Sequence, residues 1–143
     1  MSLDQSFAVA MHAMSVIAFT HPDQVSAVFI SKQINVHPVV IRRILVKLVN
    51  SNLVNSTPGS RGGYSLAKSA KQINLWDIYS SIHVSGGFAN RNAMPTSNCD
   101  EGRAVEAVLM EVFANADKAL ADKFRKSTLA DILAAAARLA PTT

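Results

Sequence analysis

Apolar residues recur along this chain at helical spacing, interrupted once. Over residues 4–19, Phe7, Met11, Met14 and Ala18 fall at i, i+4, i+7 and i+11, one stripe of an α-helix. Asp4 is placed to cap its start. His21-Pro22-Asp23 ends it, because the residue before a proline disfavours helical backbone. Ser26 opens a second, short helix over about Ala27–Gln33. Asn35-Val36-His37-Pro38 reads as a turn, and Pro38 suits the first position of a third helix over about Val39–Ser51. There Ile41, Ile44, Leu45 and Leu48 share one face, Arg43 and Lys47 lie on the far side, and Arg42 lies on the flank. A short helix, a tight turn, and a helix with an apolar back and a cationic front form the helix-turn-helix pattern. The second helix of that pattern enters the major groove of DNA.

The interruption follows at once. Leu53-Val54 and Tyr64-Ser65-Leu66 are short apolar runs around Pro58, Gly59, Arg61, Gly62 and Gly63, which predicts a β-hairpin. Pro58-Gly59 fits the two central positions of a type II turn, since glycine accepts positive φ without steric cost. Gly62-Gly63 permits close backbone approach to another surface. A phosphate-binding loop is excluded: it requires Gly-x-x-x-x-Gly-Lys-Ser/Thr opening a helix, and Arg61-Gly62-Gly63-Tyr64 lacks the Lys-Ser/Thr pair. A hairpin directly after a cationic helix reads instead as a wing, with Arg61 at its tip within reach of a minor groove or a phosphate.

Helical spacing then resumes. Asn74 and Asp77 mark the start of a helix over about Leu75–His83, with Leu75, Ile78 and Ile82 inward and Trp76 structural. Residues Val84–Asn98 show no apolar period and carry Gly86, Gly87 and Pro95, the composition of a mobile loop. From about Asp100 a long helix reaches about Lys126. Val105, Leu109, Val112, Ala116 and Ala119 are spaced 4, 3, 4, 3 along it, the seam of a left-handed helix pair, and Val108 and Leu120 widen the stripe. Self-association through this seam competes with simple coverage of the first domain. Thr128 and Asp131 form a capping pattern before a last helix that stops ahead of Pro141. The fold class is mainly α with a small β-hairpin wing. It divides into a winged helix-turn-helix domain at 1–83, a flexible sensing loop at 84–99, and a dimerisation helix with a C-terminal helix at 100–143.

Charge sharpens this picture. The net charge of +4 conceals a 53-residue block, Gln24–Trp76, with seven basic residues (Lys32, Arg42, Arg43, Lys47, Arg61, Lys68, Lys71) and no Asp or Glu. Ordinary surfaces mix their signs, so a block of one sign is a footprint for a polyanion. A solubilising face is the plain alternative. No apolar run reaches the ~18 residues of a membrane span, and no secretory signal precedes the first helix. A cytoplasmic protein is the expectation. Neither paired carboxylates, nor a nucleophile with its base, nor a metal-ligand cluster appears, so an enzyme is not expected. His12 and His37 lack ligand spacing and read as polar surface. A winged-helix module that binds an acidic protein partner is the competing function.

The order of these segments resembles the Rrf-two family of bacterial transcription regulators, which includes IscR, NsrR and CymR. The resemblance rests on "HPVVIRRIL" (His37–Leu45), "LVNSTPGSRGGYSLAK" (Leu53–Lys68), "INLWDIYSSI" (Ile73–Ile82), "NCDEG" (Asn98–Gly102) and "TLADIL" (Thr128–Leu133). The Pro-Val-Val-Ile-Arg-Arg run and the lone Asn-Cys look like its YwnA-like branch. The resemblance implies a homodimeric regulator, usually a repressor, that reads a palindrome-like operator in double-stranded DNA. It places helix 39–51 in the major groove and the 54–67 wing on the minor groove or backbone. It puts Val39, Val40, Arg42, Arg43 and Lys47 on the recognition helix and Ser60, Arg61, Gly62 and Gly63 on the wing. The best-known members supply three cysteines to an iron–sulfur cluster, whereas this chain has only Cys99. Even with His83, Asp77 and Glu101 as further candidates, no cofactor is expected, because thiolates are the usual cluster ligands. Two roles stand open for Cys99. At a helix start, unpaired N–H groups and Arg103 favour a reactive thiolate while Asp100 and Glu101 oppose it, giving an oxidant sensor. Alternatively it is a buried structural thiol under the wing. A small-molecule effector is the other signal the resemblance allows.

Overall fold

The computed structural model describes residues 3–83, 87–88 and 96–141. Three helices come first: α1 (Leu3–Thr20), α2 (Ala27–Ile34) and α3 (Pro38–Asn50). A two-stranded antiparallel hairpin follows, β1 (Val54–Thr57) and β2 (Gly63–Leu66), then a single 3-10 turn at Ala70–Gln72. Three more helices complete the described chain: α4 (Leu75–Ile82), α5 (Asp100–Arg125) and α6 (Leu129–Leu139).

Each start has a local cause. The Ser26 hydroxyl accepts from the Phe29 N–H and opens α2, and Asn35, in the left-handed region at φ 55°, closes it. Pro38 occupies the first turn of α3, where its missing N–H costs nothing. Asn74 and Asp77 cap each other's backbone N–H at the head of α4, and Thr128 and Asp131 do the same at α6.

One core holds the first four helices, the wing root and the last helix. Met14, Ile17, Ile30, Ile41, Leu45, Leu48, Ile73, Ile78 and Leu129 are fully buried in it. The α3 face of Ile41, Ile44, Leu45 and Leu48 is buried as its spacing requires. The first helix departs from expectation. Its buried residues are Ala10, Ala13, Met14 and Ile17, roughly a quarter turn from the Phe7–Ala18 stripe. Phe7, Met11 and Ala18 pack only partly buried at the edge. The cause is that α1 is apolar nearly all round and touches α2, α3, α4, β2 and α6. Its two buried alanines, Ala10 and Ala13, let neighbours approach closely, so the larger residues mark its flank. This helix begins at Leu3, which puts Asp4 inside the first turn and not at the cap.

The wing is tied to the body by a third partner. Val25 and Tyr64 form an antiparallel bridge, with the Val25 N–H donating to the Tyr64 carbonyl at 3.1 Å and the Tyr64 N–H to Val25 at 2.7 Å. The hydrogen-bonded turn at its tip runs from Gly59 to Gly62, whose N–H donates to the Gly59 carbonyl at 3.1 Å. Ser60 and Arg61 therefore take the two central positions, not Pro58 and Gly59. Gly59 does adopt positive φ, at 100°. Residues 84–86 and 89–95, most of the expected loop, lie outside the described residues.

Candidate nucleic-acid interface

The outward face of α3 follows from its buried one. Val39, Arg43, Val46 and Asn50 recur at i, i+4, i+7 and i+11 and are all exposed. Arg42 is exposed on one flank, Lys47 is half-buried on the other, and Val40 packs partly against the core. The head of this helix is capped by His37: the Val39 N–H donates to His37 Nδ1 at 3.2 Å. Sequence alone marks His37 only as polar surface. The signal was present in its place directly before Pro38, but histidine is not among the preferred capping residues.

The hairpin meets α3 through Ser56 and Tyr64, while its tip borders a cleft with His21, Asp23, Ser26 and Phe29 at the turn between α1 and α2. Ser60 and Arg61 are exposed there. The two glycines that follow meet needs inside the fold. A Cβ on Gly62 would collide with the Thr57 carbonyl oxygen, and one on Gly63 would lie 2.7 Å from the Val25 carbonyl oxygen. Gly63 also has φ 149°. These glycines keep the tip tight and flush with the Val25 bridge, leaving Ser60 and Arg61 as the groups it presents. Lys32, Lys68 and Lys71 are exposed as well. The ion pairs among the described residues are Arg103–Asp100 and Arg125–Asp122, both within α5. None of the seven basic residues of the acid-free block is neutralised there.

The long helix uses its two ends differently. Near its C-terminus it is fixed to the body by packed aromatic rings. Phe124 lies 5.6 Å from both Phe7 and Tyr79, and Arg125 sits 5.4 Å over the Trp76 ring, itself stacked on Tyr79. Trp76 is thus structural, as its surroundings in sequence suggest. The predicted seam points away from the chain. Val105, Leu109, Val112, Ala116 and Ala119 are all exposed, with Val105 at 57% and Val112 at 52%. Val108 joins them, whereas Leu120 turns inward to line a cleft with Trp76 and Tyr79.

Cys99 is the N-cap of α5 and is exposed. This overturns the alternative of a buried thiol beneath the wing. Its sulfur lies 3.4 Å from the Ser97 hydroxyl and accepts from the Gly102 N–H at 3.3 Å. The Ser97 hydroxyl, then the Gly102 N–H, hold its pKa below the usual thiol value, because both stabilise the thiolate more than the thiol. Asp100 is paired with Arg103. No helix among the described residues is long and apolar enough to cross a membrane. Among those residues, no group of three His, Cys, Asp or Glu side chains is placed to hold a metal ion.

Comparison with known proteins identifies the family and the fold. The family model Rrf2, an iron-dependent transcriptional regulator, matches residues 3–135. YwnA of Bacillus subtilis (strain 168), which carries the name of an HTH-type transcriptional regulator, is 25% identical over 92% of this chain and 96% of its own length. Among solved structures, IscR of T. potens superposes with a TM-score of 0.71 at 22% identity, covering 100% of this chain and 93% of the other. CymR, the global cysteine regulator of B. subtilis, gives 0.67 at 20% identity over 94% and 97%. These two superpositions establish a shared fold.

Proposed function

This chain belongs to the Rrf2 family of DNA-binding transcription regulators and is not an enzyme, and we propose that it acts as a cytoplasmic two-fold dimer that represses from a palindrome-like operator. Helix α3 lies in the major groove, with Arg42, Arg43 and Lys47 facing base edges and phosphates. The wing sets Ser60 and Arg61 on the adjacent minor groove or backbone. Two copies pair through Val105, Leu109, Val112, Ala116 and Ala119. Residues 1–83 bind DNA, 84–99 sense, and 100–143 carry the dimer helix.

The observation that supports this most is the acid-free block Gln24–Trp76, whose exposed basic residues include Arg42 and Arg43 on α3 and Arg61 at the wing tip. An acidic protein partner would satisfy the charge but would not call for a helix and a hairpin set side by side. The test is fluorescence anisotropy of the reduced protein with its own upstream DNA against a scrambled duplex over a salt series. Selective binding that weakens steeply with salt is expected. Weak binding equal for both duplexes refutes the reading.

An iron–sulfur cluster does not fit the donor set. A single cysteine per chain gives a dimer two thiolates, fewer than the usual four ligands, and that sulfur already caps a helix. We assign the signal to Cys99 itself. Its thiolate attacks a peroxide oxygen, the O–O bond breaks, cysteine is oxidised to sulfenic acid, and hydroxide leaves.

A further inference from the structure

The exposed stripe of α3 is not uniformly cationic. Val39 is 51% exposed and Val46 is 56% exposed, and both lie on the line of the helix that carries Arg43. Exposed valines at single surface positions require no explanation. Two of them on a recognition face, in register with an arginine, are a different matter. The buried back of the helix already supplies its packing through Ile41, Ile44, Leu45 and Leu48. Neither valine is needed there. Val46 also lines a cleft of about 190 Å³ between α3 and the wing, with Asn50, Ser56 and Tyr64, so it stands where the helix and the hairpin converge.

A major groove offers one apolar group, the C5 methyl of thymine, and apolar side chains recognise it by contact. Arginine is suited to guanine O6 and N7. Resting on the DNA-binding reading above, we propose that Val39 and Val46 read thymine methyls on either side of the guanine met by Arg43. Seven residues of helix separate the two valines by about 10 Å. That is about three base-pair steps at 3.4 Å each. Each half-site therefore carries a guanine bracketed by two A·T pairs about three steps apart, with the thymines presenting their methyls to the helix. Charge complementarity selects DNA as the occupant: Arg42 and Lys47 flank the stripe, and the surrounding block holds no carboxylate.

Uracil tests this directly, because it pairs like thymine and lacks only the methyl. The full-length protein first selects its sites from a random duplex library. Thymines of the selected site are then replaced one at a time by deoxyuridine, and affinity is read by anisotropy. Two positions per half-site should each lose about fourfold on losing the methyl. Val39→Ala should abolish the loss at one of them and Val46→Ala at the other. Alanine favours helix and both positions are exposed, so thermal melts should match wild type. Affinity indifferent to uracil at every position overturns the proposal, as does a uracil effect that survives in both variants. A library that yields no enriched sequence refutes the DNA-binding reading itself, and the proposal with it.

Discussion

Arg61 offers the cleanest quantitative test of the wing. It sits at the second central position of the Gly59–Gly62 turn, exposed and without an ion pair among the described residues. Removing it should leave the fold untouched, since surface changes of this kind stay within about 0.5 kcal/mol. In a dimer, Arg61→Ala removes two phosphate contacts. Each contact contributes about 0.9 to the slope of log affinity against log salt, so the slope should become shallower by about 1.8. Extrapolated from the molar reference to ~0.15 M salt, that difference is about a thirtyfold loss of affinity, independent of sequence.

The assay is a salt titration of wild type and variant on the same duplex. A loss confined to particular base pairs would move Arg61 from phosphate to base-edge contact. A slope and affinity that match wild type would refute the wing-tip assignment outright. Arg61→Lys should then retain the slope, because a phosphate contact needs charge more than the guanidinium's planar geometry.

Other perturbations probe the remaining parts. Leu109→Asp with Val112→Asp should convert a species of twice the 15.3 kDa chain mass into one of the chain mass itself by light scattering, and weaken operator binding with it; a persisting dimer would place the interface elsewhere. His37→Ala should destabilise the protein by about 1 kcal/mol in thermal or urea unfolding while His37→Asn does not, because asparagine restores a cap for the Val39 N–H; equal losses would refute the capping role. Alkylation of Cys99 should reach half its maximal rate below the pH of an ordinary thiol, and Ser97→Ala should move that midpoint up. Since the folded-state pKa is depressed, the thiolate cap stabilises α5 fully above the unfolded pKa, and that contribution is lost as pH falls through the folded one. An unmoved midpoint in Ser97→Ala would remove the hydroxyl from the mechanism.

What the sequence revealed depended on how sharply a segment was divided between two environments. Helix α3 has one buried and one solvated side, so its apolar spacing located its core face and, by subtraction, its solvated face with Arg43, although Lys47 lies half-buried on the flank and not opposite the core. Helix α1 has neighbours around most of its circumference, and periodicity then follows side-chain size more than burial. The seam on α5 was legible for the first reason, but not its status. Only coordinates distinguish a stripe turned outward from one covering the body, and they also turn Leu120 to the other side. The caps at Asn74 and Thr128 were legible because they use preferred residues. His37 was not, because an uncommon cap carries no compositional signal. The start of a helix at Cys99 was legible, but neither its exposure nor its contact with the Ser97 hydroxyl is specified by any local pattern.

The division of labour along α5 constrains how a signal at Cys99 could reach DNA. The sulfur caps the first turn of a helix whose exposed valines lie one to three turns further on. The far end is locked to α1 and α4 by Phe124, Phe7 and Tyr79, and α4 in turn packs on α3. On the proposed reading, oxidation that removes the Cys99 cap would fray the start of the helix beside the dimer seam, while the aromatic cluster holds the other end to the body. In the proposed dimer, two recognition helices would meet half-sites about 34 Å apart. In that dimer, a small change in the crossing of paired α5 helices would be carried as a rigid-body displacement to both wings and both copies of α3. The coupling needs no rearrangement inside the core. It requires only that Phe124, at the opposite end of α5 from Cys99, remain packed on Phe7 and Tyr79, so Phe124→Ala should weaken the effect of peroxide on DNA affinity while Cys99 alkylates at the wild-type rate.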